Sequence, residues 1–278
     1  LTAERAARAK QQGMTRVYPD GYVVRADGIA GALQDPERTA IPILVGSNRD
    51  ESKLFNAMNP QLVEWGNPDG LWSVIDRMPL AIKKPDYYQA MSEYGSNLWK
   101  LRAVDDVARE LTDSGHSEVF VYRFDWDEEP NLVVLNMANV LGAAHGLEIG
   151  YTMNNPDLAV TPSLTFALFT DKNKAGRTYL ADTMSSYWAN LAITGSPAQG
   201  VDSNLPQWTT WTTDTSAERL MAFDTQEDQG TRMIVGNNTM AGLKARVQAE
   251  TGFDSESRYC NLYTEIFGAD AFISAICN

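Results

Sequence analysis

Histidine and cysteine are scarce in this chain, with two of each among 278 residues. No Cys/His spacing has the pattern of a metal centre. Neither a metal nor an organic cofactor is expected. Positive charge is also short: 23 Lys and Arg stand against 36 Asp and Glu, a formal net charge of −13. Nothing in that balance neutralises phosphates, which excludes a nucleic-acid-binding role and leaves a solvated acidic surface as the expectation. No apolar run approaches the roughly 18 residues of a membrane span. Also missing are a Gly-x-Ser-x-Gly turn, the usual seat of an activated serine on a strand-to-helix elbow, and any Gly-Gly pair.

The length and the 44% hydrophobic content are those of a globular protein with a large core. The first residue is Leu1, and Leu1 to Met14 reads as a polar, Ala-rich helix piece without the apolar stretch of a signal peptide. The expectation is that a segment upstream has been removed. The two cysteines, Cys260 and Cys277, lie 17 residues apart at the ends of one small terminal element. A bridge between them is the favoured expectation, contributing on the order of 3 kcal/mol in the chain-entropy model and implying an oxidising compartment. Two unrelated buried thiols are the competing one.

Along the chain, Pro19-Asp20-Gly21 marks a turn, and Ile41-Pro42-Ile43-Leu44-Val45-Gly46 is apolar on both faces, as a central parallel strand should be. Residues 61–107 read as mainly helical, with turns at Asn67-Pro68-Asp69-Gly70 and Lys84-Pro85-Asp86, and 103–112 has helical apolar spacing. The β-branched and aromatic run from Val119 to Trp126 is a strand. A second long helix is expected over 176–194, stopped by Thr194-Gly195-Ser196-Pro197. A last strand follows at 220–223 and a helix at 240–250. Strands separated by helices of ten or more residues predict an α/β fold, with a mostly parallel sheet flanked by helices.

Two residues carry the chemistry. The strand at Ile41 empties into Ser47-Asn48-Arg49-Asp50-Glu51-Ser52, and 94 residues after Glu51, His145 sits in Gly142-Ala143-Ala144-His145-Gly146-Leu147-Glu148. Gly and Ala around a histidine leave its imidazole free to reach a reacting group. A strand delivering a carboxylate, then a loop delivering a histidine, is the order of the last two members of a hydrolase triad. A lone histidine is more often a satisfied side chain and a carboxylate after a strand more often a cap, so spacing alone does not decide.

The local words decide. Pro42-Ile43-Leu44-Val45-Gly46-Ser47-Asn48-Arg49-Asp50-Glu51 resembles the acid-bearing segment of the type B carboxylesterases, the cholinesterase-like branch of the α/β hydrolases, with Ser52 where that family has glycine. Ala144-His145-Gly146-Leu147-Glu148-Ile149 resembles its histidine segment, and Val121-Tyr122-Arg123-Phe124 the strand before it. Tyr187-Trp188-Ala189-Asn190-Leu191-Ala192-Ile193-Thr194-Gly195-Ser196-Pro197, followed by Leu205-Pro206-Gln207-Trp208, is similar to a further stretch. The resemblance implies that Glu51 is the triad acid, His145 the general base and Glu148 a supporting glutamate of the histidine loop. Glu148 reads equally well as a helix-start carboxylate. Asp50 is expected to hold the turn, and His116 to be a surface turn residue.

The same resemblance implies that the serine elbow and oxyanion segment lie upstream of Leu1. Residues 1–278 are then the C-terminal part of a single α/β-hydrolase domain, incomplete without an N-terminal half that carries the serine. The expected substrate is a small carboxylic ester, and the chain alone is expected to be inactive. A secreted or periplasmic protein is expected. The alternative is a catalytically inactive cholinesterase-like binding or adhesion protein. Retention of both Glu51 and His145 argues against that alternative.

Overall fold

The computed structural model describes residues 19–35, 41–66, 78–132, 135–159, 165–236, 238–250, 253, 256–268 and 277. The helix expected over 1–14 and the turn expected at 67–70 lie outside the described residues. At the start, the Asp20 carboxylate accepts the backbone N–H groups of Tyr22, Val23 and Val24, which makes the turn read from Pro-Asp-Gly.

A short helix α1 (Gly28–Leu33) precedes β1 (Ile43–Asn48), and α2 (Glu51–Ala57) starts just beyond that strand, after the turn at 49–50. The stretch expected to be mainly helical contains a two-stranded antiparallel ribbon, β2 (Val63–Trp65) and β3 (Pro79–Ile82). Its strands are three and four residues long, too short for alternation to outweigh the surrounding helical pattern. The long helix α3 (Pro85–Lys100) opens on a proline, whose missing N–H costs nothing at a first helical position. It runs through a π turn at Leu101–Asp105 into α4 (Asp106–Asp113). Across that turn, the buried Lys100 ammonium donates to Asp105 at 2.5 Å.

The strand β4 (Val119–Phe124) is the heart of the sheet. It pairs in parallel with β1, Ile43 opposite Val119 through to Asn48 opposite Phe124. On its other side it pairs in parallel with β5 (Leu220–Phe223), which in turn pairs antiparallel with β6 (Arg232–Ile234). The order β1-β4-β5-β6 is thus a mixed sheet, parallel except for its last strand. Between β4 and β5 come the short helices α5 (Met137–Val140), α6 (Glu148–Thr152) and α7 (Thr165–Leu168), then the 24-residue α8 (Asp171–Thr194). The helices α9 (Met240–Ala249) and α10 (Glu256–Phe267) follow β6.

Alternation along β4 divides its side chains between two helical layers. Val119 and Val121 pack with Val104, Ala108 and Leu111 on the α4 side. Phe120 and Phe124 face the other cluster, which holds Leu180, Met184 and Tyr187 of α8. Full burial of a Val or Phe side chain contributes about 1.5–3 kcal/mol, so this strand alone anchors both layers. The aromatic words of the sequence meet here: the Tyr122 and Trp188 rings lie edge-on at 5.1 Å, Tyr187 and Trp208 at 5.4 Å, and Trp208 and Phe223 at 5.4 Å. The helix α8 begins five residues earlier than its apolar pattern suggests, because Thr170 and Asn173 cap each other's backbone N–H groups. At the far end of the chain a disulfide joins Cys260 and Cys277, with Cα atoms 5.6 Å apart.

Candidate active site

The parallel strands β1 and β4 end side by side, and the segments beyond these two ends build the site. After β1 comes the turn 49–50 and then Glu51, the first residue of α2. After β4 the chain passes through α5 to the loop 141–147. This is the carboxyl end of a parallel sheet, where open α/β folds place their ligands.

The structure brings Glu51 and His145 together: the imidazole Nδ1 lies 2.6 Å from the Glu51 Oε2. A carboxylate accepts, so Nδ1 carries the proton and donates it. The second carboxylate oxygen, Oε1, accepts the Asn48 backbone N–H at 2.8 Å. Both oxygens therefore have a donor. The Glu51 side chain is 5% exposed and that of His145 42%, so the acid is sealed while the imidazole faces out. Burial pushes the Glu51 carboxyl above its ordinary value. The Asn48 amide and the His145 ring pull it back, and the neighbouring Glu148 charge raises it slightly. Among the described residues the His145 Nε2 makes no hydrogen bond. An exposed, unprotonated ring nitrogen on an imidazole oriented by a carboxylate can accept a proton from a group brought to it.

The histidine loop is clasped to the turn after β1 at several points. The Asp50 N–H donates to the Ala143 carbonyl at 3.1 Å, and the Ala143 N–H donates to the Asp50 carboxylate at 3.1 Å. Lys53 and Arg49 pair with the same carboxylate at 3.2 and 3.0 Å. Asp50 thus holds the turn and the loop at once. Glu148 opens α6, and its Oε2 accepts from the Asn48 side chain. Gly142 and Gly146 hold left-handed backbone on either side of the loop, with φ of +51° and +87°. At Gly142 an added Cβ would also meet the Asp50 carboxylate at 2.6 Å.

Two aromatic rings stand beside the imidazole. Phe55 of α2 lies 5.4 Å from it, Trp99 of α3 lies 5.2 Å from it, and the two stack on each other at 6.0 Å. Both are partly exposed. The sequence gives no hint of this wall, because Phe55 and Trp99 carry no signal beyond an ordinary helix face.

His116 corrects its expectation. It is buried, 4% exposed, and its Nδ1 donates to the Leu111 carbonyl at 3.1 Å. The turn residues around it suggested solvent, but the chain folds back over the end of α4. Among the described residues one group has metal-ligand spacing: Glu128, Asp224 and Asp228 bring carboxylate oxygens within 4.8 Å of one another. The Thr225 hydroxyl donates to Glu128 and its backbone N–H to Asp224, so protein donors already serve two of the three.

With this geometry in place, the comparisons with known proteins are direct. Residues 80–241 match the model of the carboxylesterase family, more than half of the chain. The chain belongs to the carboxylesterase family. The matched region of this carboxylesterase-family chain includes His145 and Glu148, while Glu51 lies N-terminal to it. The para-nitrobenzyl esterase of Bacillus subtilis (strain 168) is 28% identical over 173 residues, 60% of this chain and 32% of the relative. The acetylcholinesterase of Electrophorus electricus is 31% identical over 108 residues, 39% of this chain and 15% of the relative. The chain therefore spans a third or less of the curated relatives it matches. Among solved structures, the carboxylesterase EST55 of Geobacillus stearothermophilus superposes with a TM-score of 0.50 at 20% identity, covering 87% of this chain and 47% of its own. A PNB esterase gives 0.50 at 17%, covering 88% and 48%. The mixed sheet flanked by helices is thus part of an α/β-hydrolase fold, matched to just under half of each solved carboxylesterase. Among the described residues no helix is long and apolar enough to cross a membrane.

Proposed function

We propose that this protein hydrolyses carboxylic esters through a serine acyl-enzyme, with Glu51 as the acid that orients the base and His145 as the base. Membership of the carboxylesterase family supports ester hydrolysis. The single observation that carries the finer reading is the 2.6 Å hydrogen bond between a sealed Glu51 and an outward-facing His145.

The serine and the oxyanion donors come from a segment outside these 278 residues, which hold no Gly-x-Ser-x-Gly turn. His145 Nε2 takes the serine proton as the serine oxygen attacks the ester carbonyl carbon, and Glu51 stabilises the resulting imidazolium. As the tetrahedral intermediate collapses, the C–O bond to the alcohol breaks and the imidazolium returns the proton to the leaving alkoxide. Water then repeats the sequence on the acyl-enzyme and releases the carboxylic acid. Phe55 and Trp99 offer an aromatic wall to the apolar part of the ester beside the imidazole. The Cys260–Cys277 disulfide supports an oxidising compartment, and with it export from the cytosol.

The test joins the chain to its serine-bearing segment and offers a chromogenic aryl ester. A burst of alcohol release is expected, with an organophosphorus reagent labelling the serine segment and not residues 1–278. The chain alone is expected to give no burst. A joined protein that binds esters without turnover would replace the esterase reading with a binding one.

A further inference from the structure

We propose that Asn48 is a positioning residue that locks the acid and the base of this site into one unit. The proposal rests on the esterase reading for its catalytic consequence, although its structural part is read on the chain alone.

Asn48 is the last residue of β1 and is 1% exposed. Its groups reach three partners on the two arms of the site. The backbone N–H donates to Glu51 Oε1 at 2.8 Å, fixing the oxygen that does not touch the histidine. The side-chain amide donates to the carbonyl of Ala144, the residue before His145, at 2.7 Å. The same nitrogen donates to Glu148 Oε2 at 2.5 Å. One residue thus sets the carboxylate, the backbone leading into the imidazole and the glutamate three residues beyond it.

The chemistry requires a carboxamide here. A carbonyl and a carboxylate both need a donor, so the amide nitrogen must face them. Its oxygen is buried and has no partner among the described residues, so nothing rewards the flipped orientation. An aspartate has nearly the same shape but no donor. It would set a second carboxylate against Glu148 and a lone pair against the Ala144 carbonyl, while leaving the backbone bond to Glu51 untouched. With the loop pushed away, the imidazole loses its fixed approach to Glu51 and with it the selection of one tautomer.

The test reads that tautomer. The chain has two histidines, so a two-bond proton–nitrogen spectrum of the labelled, unliganded protein holds two imidazole patterns, assigned by His145→Gln. In the wild type at pH 8, His145 is expected to be protonated at Nδ1 alone. In Asn48→Asp and in Asn48→Ala it is expected to become a mixture of the two tautomers, while the His116 pattern stays put as a check on folding. Reversing the donor in the double variant Asn48→Asp with Glu148→Gln returns an amide–carboxylate pair and is expected to move His145 back toward Nδ1–H. A wild-type tautomer preserved in both single variants overturns the proposal, as does a double variant no nearer to wild type than Asn48→Asp. The alanine variant reads the same effect without charge repulsion if the aspartate variant does not fold. In the protein joined to its serine-bearing segment, Asn48→Ala is expected to lower kcat roughly ten- to a hundredfold with KM within about twofold. A tautomer shift in a joined protein that lacks esterase turnover even as wild type would leave the positioning role standing and remove the esterase reading.

Discussion

Asp50 and Ala143 hold each other twice across 93 residues of sequence, backbone N–H to backbone carbonyl and backbone N–H to carboxylate, both at 3.1 Å. This clasp brings a turn after one parallel strand and a loop well beyond its neighbour into fixed relation, and the Glu51–His145 bond is built on it. Asp50 is consequently part of the foundation, with Lys53 and Arg49 neutralising its charge.

The clasp predicts a sharp intolerance at Gly142. Its φ of +51° and the 2.6 Å approach of an added Cβ to the Asp50 carboxylate both oppose a side chain. Gly142→Ala is expected to destabilise the chain by about 1–3 kcal/mol, seen as a lower denaturation midpoint with an unchanged m value. At Gly146 no atom of the described residues other than its chain neighbours lies within 4 Å of the added Cβ, so only the backbone conformation is taxed. Gly146→Ala should therefore cost less. Equal costs at the two positions would mean that the carboxylate yields freely.

For the proposed reaction, His145→Ala in the protein joined to its serine-bearing segment should lower turnover by about four to six powers of ten. Glu51→Gln keeps the shape and one acceptor but removes the anion, and should cost less, though still several powers of ten. Steady-state kinetics on an aryl ester checks both. Full activity after His145→Ala would mean that another group takes the serine proton.

How much of the molecule is legible in the sequence depends on how local each signal is. The acid follows a short apolar strand, the histidine lies in a short word rich in Gly and Ala, and β4 announces itself by a run of β-branched and aromatic residues, so the sheet class and the candidate residues of the site could be read. The bonds that join the two arms were not, because Asn48 meets Ala144 and Glu148 across 96 and 100 residues. The strand β6 escaped notice because three residues beginning with an arginine show no alternation. The early start of α8 was hidden because its cap pairs Thr170 with an asparagine rather than with a glutamate or glutamine. His116 misled because turn-forming neighbours say nothing about which way the ring folds.

The disulfide closes a 17-residue separation at the C-terminus. Cys260→Ser with Cys277→Ser is expected to lower stability by about 2–3 kcal/mol through the gain in unfolded-chain freedom. Because α10 also packs on α3, the loss should be confined to that end of the chain. Hydrogen exchange should show faster opening in 256–267 while the β1–β4 pairing keeps its protection. Uniform loss of protection across the sheet would mean that the terminal element supports the whole fold.

A pH effect on stability should arise at the same carboxyl end of the sheet, one strand beyond β4, where β5 ends. Burial pushes the Asp224 carboxyl up to about 7, and the negative neighbours Asp125, Glu128 and Asp127 push the same way against the single lowering bond from the Thr225 amide. Glu128 and Glu129 are raised as well, each chiefly by burial. A folded-state pKa above that of the unfolded chain means that the folded form holds the proton more tightly. Asp224 therefore imposes no penalty below about pH 4, the unfolded value, and a growing one as pH rises toward 7, where it levels off. Stability should fall from pH 5 to pH 8. Asp224→Asn removes the titration but keeps an oxygen for the Thr225 amide, so it should stabilise the chain at pH 8 by about 1–3 kcal/mol and flatten the profile below pH 7. Urea denaturation of the wild type and the variant at pH 5, 6.5 and 8 checks this. Parallel profiles for the two proteins would show that Asp224 ionises at little cost and that the pH dependence lies elsewhere.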